Sequence, residues 1–328
     1  MSRRLIKNKK RFITFIFVLM VSVFLISFTV SDFKESIITQ AETVTSNTNT
    51  NSNDNNSNQD KLSSSNDKQD NIGDEDEFTE ETPNNPDTSV LDNSGYLSLE
   101  EDSNADDASK VLPETMYKWN FYREDNKKIA YLTFDDGPSQ NSTEKILDIL
   151  GANDIKATFF TLGRSIENNS QSEKLLKRMA KEGHSIASHG YSHDYSILYP
   201  NRTVDVDSFM KDFEKNDKIL KEVLGKDFST RLIRMPGGHA SWNGTEHLDE
   251  VLESKGIFQM DWNALNGDAE GMDFPKEHLL NKLKETVGSQ DVIIVLMHDT
   301  DAKKGTVEYL QSAIDYLKSE GFEFRTLK

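Results

Sequence analysis

From about Lys118 to Lys328, short runs of β-branched and aromatic residues alternate with longer stretches in which apolar residues recur every three or four positions. The short runs predict buried strands at Lys128 to Phe134, Ala157 to Thr161, Ser185 to Ala187, Thr230 to Ile233, Ile257 to Met260, Val292 to Met297 and Phe322 to Thr326. The longer stretches predict helices. Thr143 to Leu150 places Ile146, Leu147 and Leu150 on one face, and Glu173 to Lys181, Val206 to Leu224, Glu246 to Ser254, Glu277 to Val287 and Thr306 to Ser319 behave alike. Gly183, Gly225, Gly256 and Gly321 follow four of these helices, where C-terminal caps are expected. Such alternation implies an α/β architecture, a mainly parallel sheet with helices outside it. Seven strands over about 210 residues suggest one (β/α) barrel, incomplete or distorted.

The chain upstream reads differently. Residues 1 to 11 carry Arg3, Arg4, Lys7, Lys9, Lys10 and Arg11, and residues 12 to 30 hold no charge, a run close to the ~20 residues of a spanning helix. Basic residues ahead of an apolar run predict a cytoplasmic N-terminus and an exported remainder, so residues 12 to 30 read as a transmembrane signal-anchor. A cleaved signal peptide is the alternative, and would leave the protein secreted; Ser27-Phe28-Thr29-Val30-Ser31 matches a cleavage site poorly, and Ala41 lies far downstream. Residues 31 to 112 are rich in Asn, Ser, Asp, Thr and Glu, too polar to offset the entropy of ordering, and read as a disordered tether. They hold 20 Asp and Glu against four Lys, so most of the net charge of -18 belongs to the tether. Acidity argues against nucleic acid as a partner. As a flexible coil the tether would span roughly 50 Å, enough to place a domain, residues 113 to 328, within a cell wall. With no cysteine, an exported domain is held by packing and by metal, not by disulfides.

Polar clusters fall at the expected strand ends, where a (β/α) barrel carries its active site. They are Asp135-Asp136 after the first strand, His189 and His193 after the third, Arg234-Met235-Pro236-Gly237-Gly238 after the fourth, Asp261-Trp262 through Asp268 after the fifth, and His298-Asp299 after the sixth. Two adjacent carboxylates repel unless a cation or a proton lies between them. The His189-x-x-x-His193 spacing puts both imidazoles on one face of a helical turn, where they can share a metal. Two neutral imidazoles and one carboxylate suit Zn²⁺, with Co²⁺, Ni²⁺ or Fe²⁺ as alternatives, and leave room for water and substrate. The second carboxylate is then free to take a proton from that water.

In their order along the chain, Thr133-Phe-Asp-Asp-Gly137, His189-x-x-x-His193, Arg234-x-Pro236, Asp261-Trp262 followed by Asp268, and Leu296-x-His298 resemble the polysaccharide deacetylase family, the NodB-homology domain of carbohydrate esterase family 4. The resemblance covers roughly residues 120 to 328. It implies a distorted (β/α) barrel and a set of roles. Asp135 would be the catalytic base, with Arg234 holding it, and Asp136, His189 and His193 the metal ligands. The backbone N–H of Gly237 would stabilise the oxyanion. His298 would be the general acid, hydrogen-bonded to Asp268, and Trp262 and Leu296 would line the acetyl pocket. Three positions depart from the family pattern: Gly190 stands where a hydroxyl residue is common, Gly237 replaces a frequent aromatic, and Ala269 replaces a frequent Trp.

The activity so implied is metal-dependent removal of acetyl groups from an N-acetylated polysaccharide. Anchor and tether point to N-acetylglucosamine of peptidoglycan, with poly-N-acetylglucosamine, chitin fragments and O-acetylated xylan as other substrates of the same chemistry. A wall-glycan-binding module without catalysis is the rival of another class; it has no need of a base, an acid and a metal set together. The catalytic domain is expected to be monomeric. His184, His239, His247 and His278 have no assigned partners, and Asp299 and Asp301 are expected in a polar loop beside the site.

Overall fold

Along the first long strand, Ile129, Tyr131, Thr133 and Asp135 alternate with Ala130, Leu132 and Phe134, and successive side chains of a strand point to opposite faces. The computed structural model describes residues 96–271 and 274–328. The basic segment, the expected anchor at 12 to 30 and most of the expected tether lie outside these residues. Among the described residues no helix is long and apolar enough to cross a membrane.

Among the described residues ten strands occur in chain order: β1 (Ala105–Asp106), β2 (Lys128–Asp135), β3 (Thr158–Thr161), β4 (Ser185–Ser188), β5 (Leu232–Ile233), β6 (Phe258–Gln259), β7 (Ala264–Leu265), β8 (Val292–His298), β9 (Phe322–Phe324) and β10 (Thr326–Leu327). The main sheet runs β6-β5-β4-β3-β2-β8-β7, with β9 alongside the first half of β2, and every ladder in it is parallel. It has eight strands where the pattern predicts seven. The extra one, β7, is two residues long and hidden between Trp262 and Asp268, too short to leave a periodic signature. The last expected strand divides at Arg325 into β9 and β10, because the Arg325 side chain turns to Asp106 at 2.8 Å.

The two edges of this sheet, β6 and β7, are consecutive in the chain with only Met260 to Asn263 between them. So short a link reaches at most about 17 Å, so the sheet has to curl until its edges approach. The result is a barrel open at one seam. Asn263 caps that seam: its side chain donates to Val292 O at 2.8 Å and accepts from Ile294 N at 2.6 Å, in place of strand backbone.

Alternation divides the apolar residues into two cores. Ala130, Leu132 and Phe134 of β2 and Ile293, Val295 and Met297 of β8 face outward onto the helices, including Thr143–Ala152, Ser170–Lys181, Lys276–Val287 and Lys304–Ser319. Ile129 and Tyr131, Phe160, Leu232, Met260, Val292 and Ile294 fill the interior. The expected C-terminal caps hold, with φ of +82° at Gly183, +104° at Gly225, +66° at Gly256 and +83° at Gly321.

Residues 96 to 112, assigned from composition to the tether, belong instead to the barrel. β1 pairs with β10, and the turn of helix Ala108–Leu112 pushes Ala108 and Leu112 into the interior beneath Ile129 and Val292. Asp106 accepts from the Tyr131 hydroxyl at 2.7 Å, and the buried pair Asp102–Lys328 at 2.8 Å ties this segment to the last residue. The polar composition misleads because so few apolar side chains, set at the right positions, suffice to close the barrel floor.

Leu112 is fully buried, so Leu112→Ala is expected to lower the unfolding free energy by about 2–4 kcal/mol, read from urea denaturation. Lys110→Ala, on the exposed side of the same turn, is expected to stay within about 0.5 kcal/mol. Equal and negligible effects at both positions would remove this segment from the core.

Candidate active site

The inner face of β2 ends in Asp135 and that of β8 in His298, and the ladder sets these two residues side by side. Arg234 follows β5 and turns its side chain into the barrel, where it is 1% exposed. Its Nη1 donates to Asp135 Oδ1 at 2.7 Å and to Thr133 Oγ1 at 2.8 Å, its Nε to Met260 O at 2.8 Å and its Nη2 to Asp261 O at 3.3 Å. The guanidinium carbon lies 4.2 Å from the centre of the Phe160 ring. Burial pushes the Asp135 carboxyl above its ordinary range, while the charges of Arg234 and His298 pull it back. Such opposed forces suit a base that must be charged yet not inert.

One residue on, the backbone leaves the strand. Asp136 takes a φ of +75°, which brings its carboxylate to the same rim as Asp135 rather than to the opposite face. Its Oδ1 lies 3.7 Å from Nε2 of His189 and 3.7 Å from Nε2 of His193, and it is buried without a hydrogen bond. The Nδ1–H of His189 donates to Arg234 O at 2.7 Å, which turns the lone pair of Nε2 toward Asp136. Burial, against the raising pull of Asp136, holds His189 down at about 3, so the ring is neutral at ordinary pH. One ligand atom from each of Asp136, His189 and His193 falls within 4.8 Å of the others. Two imidazole nitrogens converging on a buried carboxylate oxygen without a hydrogen bond fit a divalent cation.

The histidine pair does not sit on a helical turn, as its spacing suggests. Both lie in the loop after β4, with φ of +81° at Gly190 and +51° at His193. Asp212, from the helix Val206–Leu224, shapes this loop by accepting from Tyr191 N at 2.7 Å and Ser192 N at 3.0 Å. A Cβ added to Gly190 would come within 2.5 Å of Asp212 Oδ2. The missing hydroxyl at 190 is thus answered by Asp212, and by Ser188 Oγ, which accepts from Gly190 N at 3.2 Å. Asn216, one turn further along the helix, donates to Ser188 Oγ at 2.8 Å. Neither Asp212 nor Asn216 was found from the sequence. The available signal is a polar pair four residues apart on the otherwise apolar face of Phe209, Phe213 and Leu220.

Asp268 follows β7 rather than the fifth strand, and it reaches His298 across the β7–β8 ladder. Its Oδ1 meets His298 Nδ1 at 2.7 Å, and Oδ2 accepts from His298 N at 2.9 Å and from Thr306 Oγ1 at 2.7 Å. Burial pulls the His298 imidazolium down, but the charge and hydrogen bond of Asp268 outweigh it and raise the group to about 9. Leu296 is buried two residues before His298 on the same face. Trp262 is half-buried over Arg234 at 5.6 Å, and it packs on Gly238, where a Cβ would meet the indole at 2.6 Å. Gly237 has a φ of +82°.

Asp299 is more than a loop residue. It is buried behind the rim, accepts from Ser139 Oγ at 2.8 Å and Thr143 Oγ1 at 2.5 Å, and donates its N–H to Asp135 O at 2.8 Å. Burial pushes its carboxyl up to about 7. Asp301 accepts from Asn141 N at 2.9 Å at the surface. Of the unassigned histidines, His239 pairs with Asp249 at 3.0 Å, and His184 is a buried histidine accepting from Ala157 N at 3.1 Å. His278 stacks on Phe274 and His247 faces Glu250, both away from the rim cluster.

Comparison with known proteins agrees with this geometry. The family model described as polysaccharide deacetylase matches residues 122–256. A peptidoglycan-N-acetylglucosamine deacetylase of Bacillus cereus is 32% identical over 232 residues, 68% of this chain and 76% of that protein. Among solved structures, a CE4 esterase of Streptococcus mutans is similar at a TM-score of 0.62 and 37% identity, covering 68% of this chain and 92% of that one. The catalytic domain of a peptidoglycan N-acetylglucosamine deacetylase from Eubacterium rectale is similar at a TM-score of 0.54 and 29% identity, covering 64% and 92%. Five motifs gathered on one barrel rim and relatives alike in sequence and fold lead to one assignment: the chain belongs to the polysaccharide deacetylase family.

Proposed function

We propose that this protein is a metal-dependent hydrolase that removes the acetyl group from N-acetylglucosamine residues of peptidoglycan. One observation carries the reading: a held carboxylate (Asp135) and a charged imidazole (His298) stand as ladder neighbours beside a cluster of three convergent ligands. The substrate follows from the relatives, two of which are named for that activity, together with the anchor and tether expected from the sequence. On the same grounds the enzyme would be held in the cell membrane by residues 12 to 30, with its catalytic domain in the wall.

Asp136, His189 and His193 would hold the cation, Zn²⁺ in preference to Co²⁺, Ni²⁺ or Fe²⁺. When bound, such an ion supplies Lewis-acid polarisation of a carbonyl and lowers the pKa of water toward 7. Asp135, aimed by Arg234, takes the proton of the attacking water. The N–H of Gly237 donates to the oxygen on which negative charge develops. Trp262 and Leu296 wall the acetyl group. His298 then gives its proton to the departing nitrogen, so that the C–N bond breaks to acetate and a free amine, and Asp268 keeps the imidazole charged until that moment. Asp212 acts at one remove, by fixing the backbone between the two histidines.

The test is acetate release from a panel of purified glycans, with and without chelator: release from peptidoglycan, lost on chelation and restored by Zn²⁺ or Co²⁺, is expected. Asp135→Asn is expected to slow turnover on the order of 10²–10⁴-fold with bound metal unchanged, as counted by elemental analysis. Full activity in that variant would exclude Asp135 as the base. His298 must be protonated to act, so activity falls as pH rises through its pKa; Asp268→Asn is expected to move this alkaline limb to lower pH by about one to three units. An unmoved limb would detach Asp268 from His298. Asp212→Ala is expected to weaken Zn²⁺ binding by about 10- to 100-fold in calorimetric titration, with the far-ultraviolet dichroism unchanged.

A further inference from the structure

The loop that carries His193 runs on into the short helix Tyr195–Leu198, and Tyr195 stands at the rim with 44% of its surface exposed. Exposure usually means freedom, but this ring is braced. Its centroid lies 5.1 Å from that of His193, and it meets Trp242 edge-on at 5.0 Å. Trp242 is itself fixed, since its Nε1–H donates to Pro236 O at 2.9 Å and its ring stacks on the buried Tyr199 at 3.9 Å.

Tyr195 also occupies a particular space. At Gly237 a Cβ would lie 3.0 Å from Trp242 Cζ2 and 3.2 Å from the Tyr195 hydroxyl oxygen. A side chain at residue 237 would crowd both rings by a few tenths of an ångström, on a backbone whose φ of +82° already favours glycine, so the space beside it is taken by two aromatic residues from elsewhere in the chain. The Tyr195 hydroxyl forms no hydrogen bond within the described residues.

A fixed aromatic face with an unused donor, beside the residues that would act on an acetyl group, is a surface for a sugar ring: the apolar C–H face packs on the arene and a polar group takes the hydroxyl. We propose that Tyr195 contacts the reacting sugar, its ring bearing on the pyranose and its hydroxyl donating to a sugar oxygen, in the place that a side chain at 237 would otherwise fill. This inference rests on the glycan-deacetylase reading and adds to it a residue that selects the substrate.

The test is calorimetric titration of the metal-loaded full chain with the tetramer of N-acetylglucosamine, in the Asp135→Asn background so that the probe survives. Adding Tyr195→Ala is expected to raise Kd about tenfold and adding Tyr195→Phe about threefold, with bound metal per chain constant. In the otherwise unaltered enzyme, Tyr195→Ala is expected to raise KM for the tetramer while leaving turnover of p-nitrophenyl acetate, which has no sugar, within about twofold of the parent. Equal tetramer affinities in parent and variants would overturn the proposal. So would an affinity loss that tracks loss of metal, which would make Tyr195 a brace for His193. A parent that binds the tetramer through Tyr195 but releases no acetate from any glycan would sink the deacetylase reading and leave this one standing; a parent that does not bind the tetramer would sink this one.

Discussion

The buried contact between Arg234 and Asp135 is the constraint on which the rest of the barrel depends. A guanidinium in an apolar interior is tolerated only when its charge is matched and its N–H groups are used. Here one charge answers the other, and the remaining donors go to Thr133 and to the carbonyls of Met260 and Asp261. Those carbonyls belong to the link between the two sheet edges. The same side chain that holds Asp135 therefore also fastens the open seam to the centre, and its own carbonyl orients His189. Asp135, His189 and the barrel closure all depend on one residue.

Adjacent residues with identical chemistry acquire different surroundings through backbone geometry alone. Asp135 is still strand, and alternation turns it inward to Arg234. Asp136 has left the strand with a positive φ, and that single change of dihedral delivers its carboxylate to the histidines instead of to the outer core. Burial then separates them further, since one oxygen of Asp135 is held by a cation from the protein while Oδ1 of Asp136 is left without a donor.

Much of this was legible in the residues because it depends on local pattern. Buried parallel strands read as apolar runs, amphipathic helices as apolar stripes, and helix ends as glycines. The rim residues could be grouped because topology sends every parallel strand end to one side. What escaped has a common physical cause: it depends on contacts between segments far apart in the chain. β7 is two residues long and exists because β8 offers a ladder beside it. The floor at Ala108 and Leu112 lies in a polar stretch and is recognisable only once the barrel above it is closed. The histidine loop is not helical, because Asp212, some twenty residues away, rewards a different backbone path. Gly237 reads as a lost aromatic until Tyr195 and Trp242 are seen standing in its space.

The strict inward and outward alternation of β8 has a consequence for how this sequence can vary. Ile293, Val295 and Met297 answer only to the helices packed outside, and any set of apolar side chains of matching volume would serve there. Leu296 and His298, interleaved with them, answer to the contents of the barrel mouth. One strand of seven residues thus answers to two nearly independent sets of constraints, packing outside and the barrel mouth inside, set at alternate positions. Substitutions that repack the outer core can therefore stand next to residues of the barrel mouth in sequence while sharing no partner with them in space.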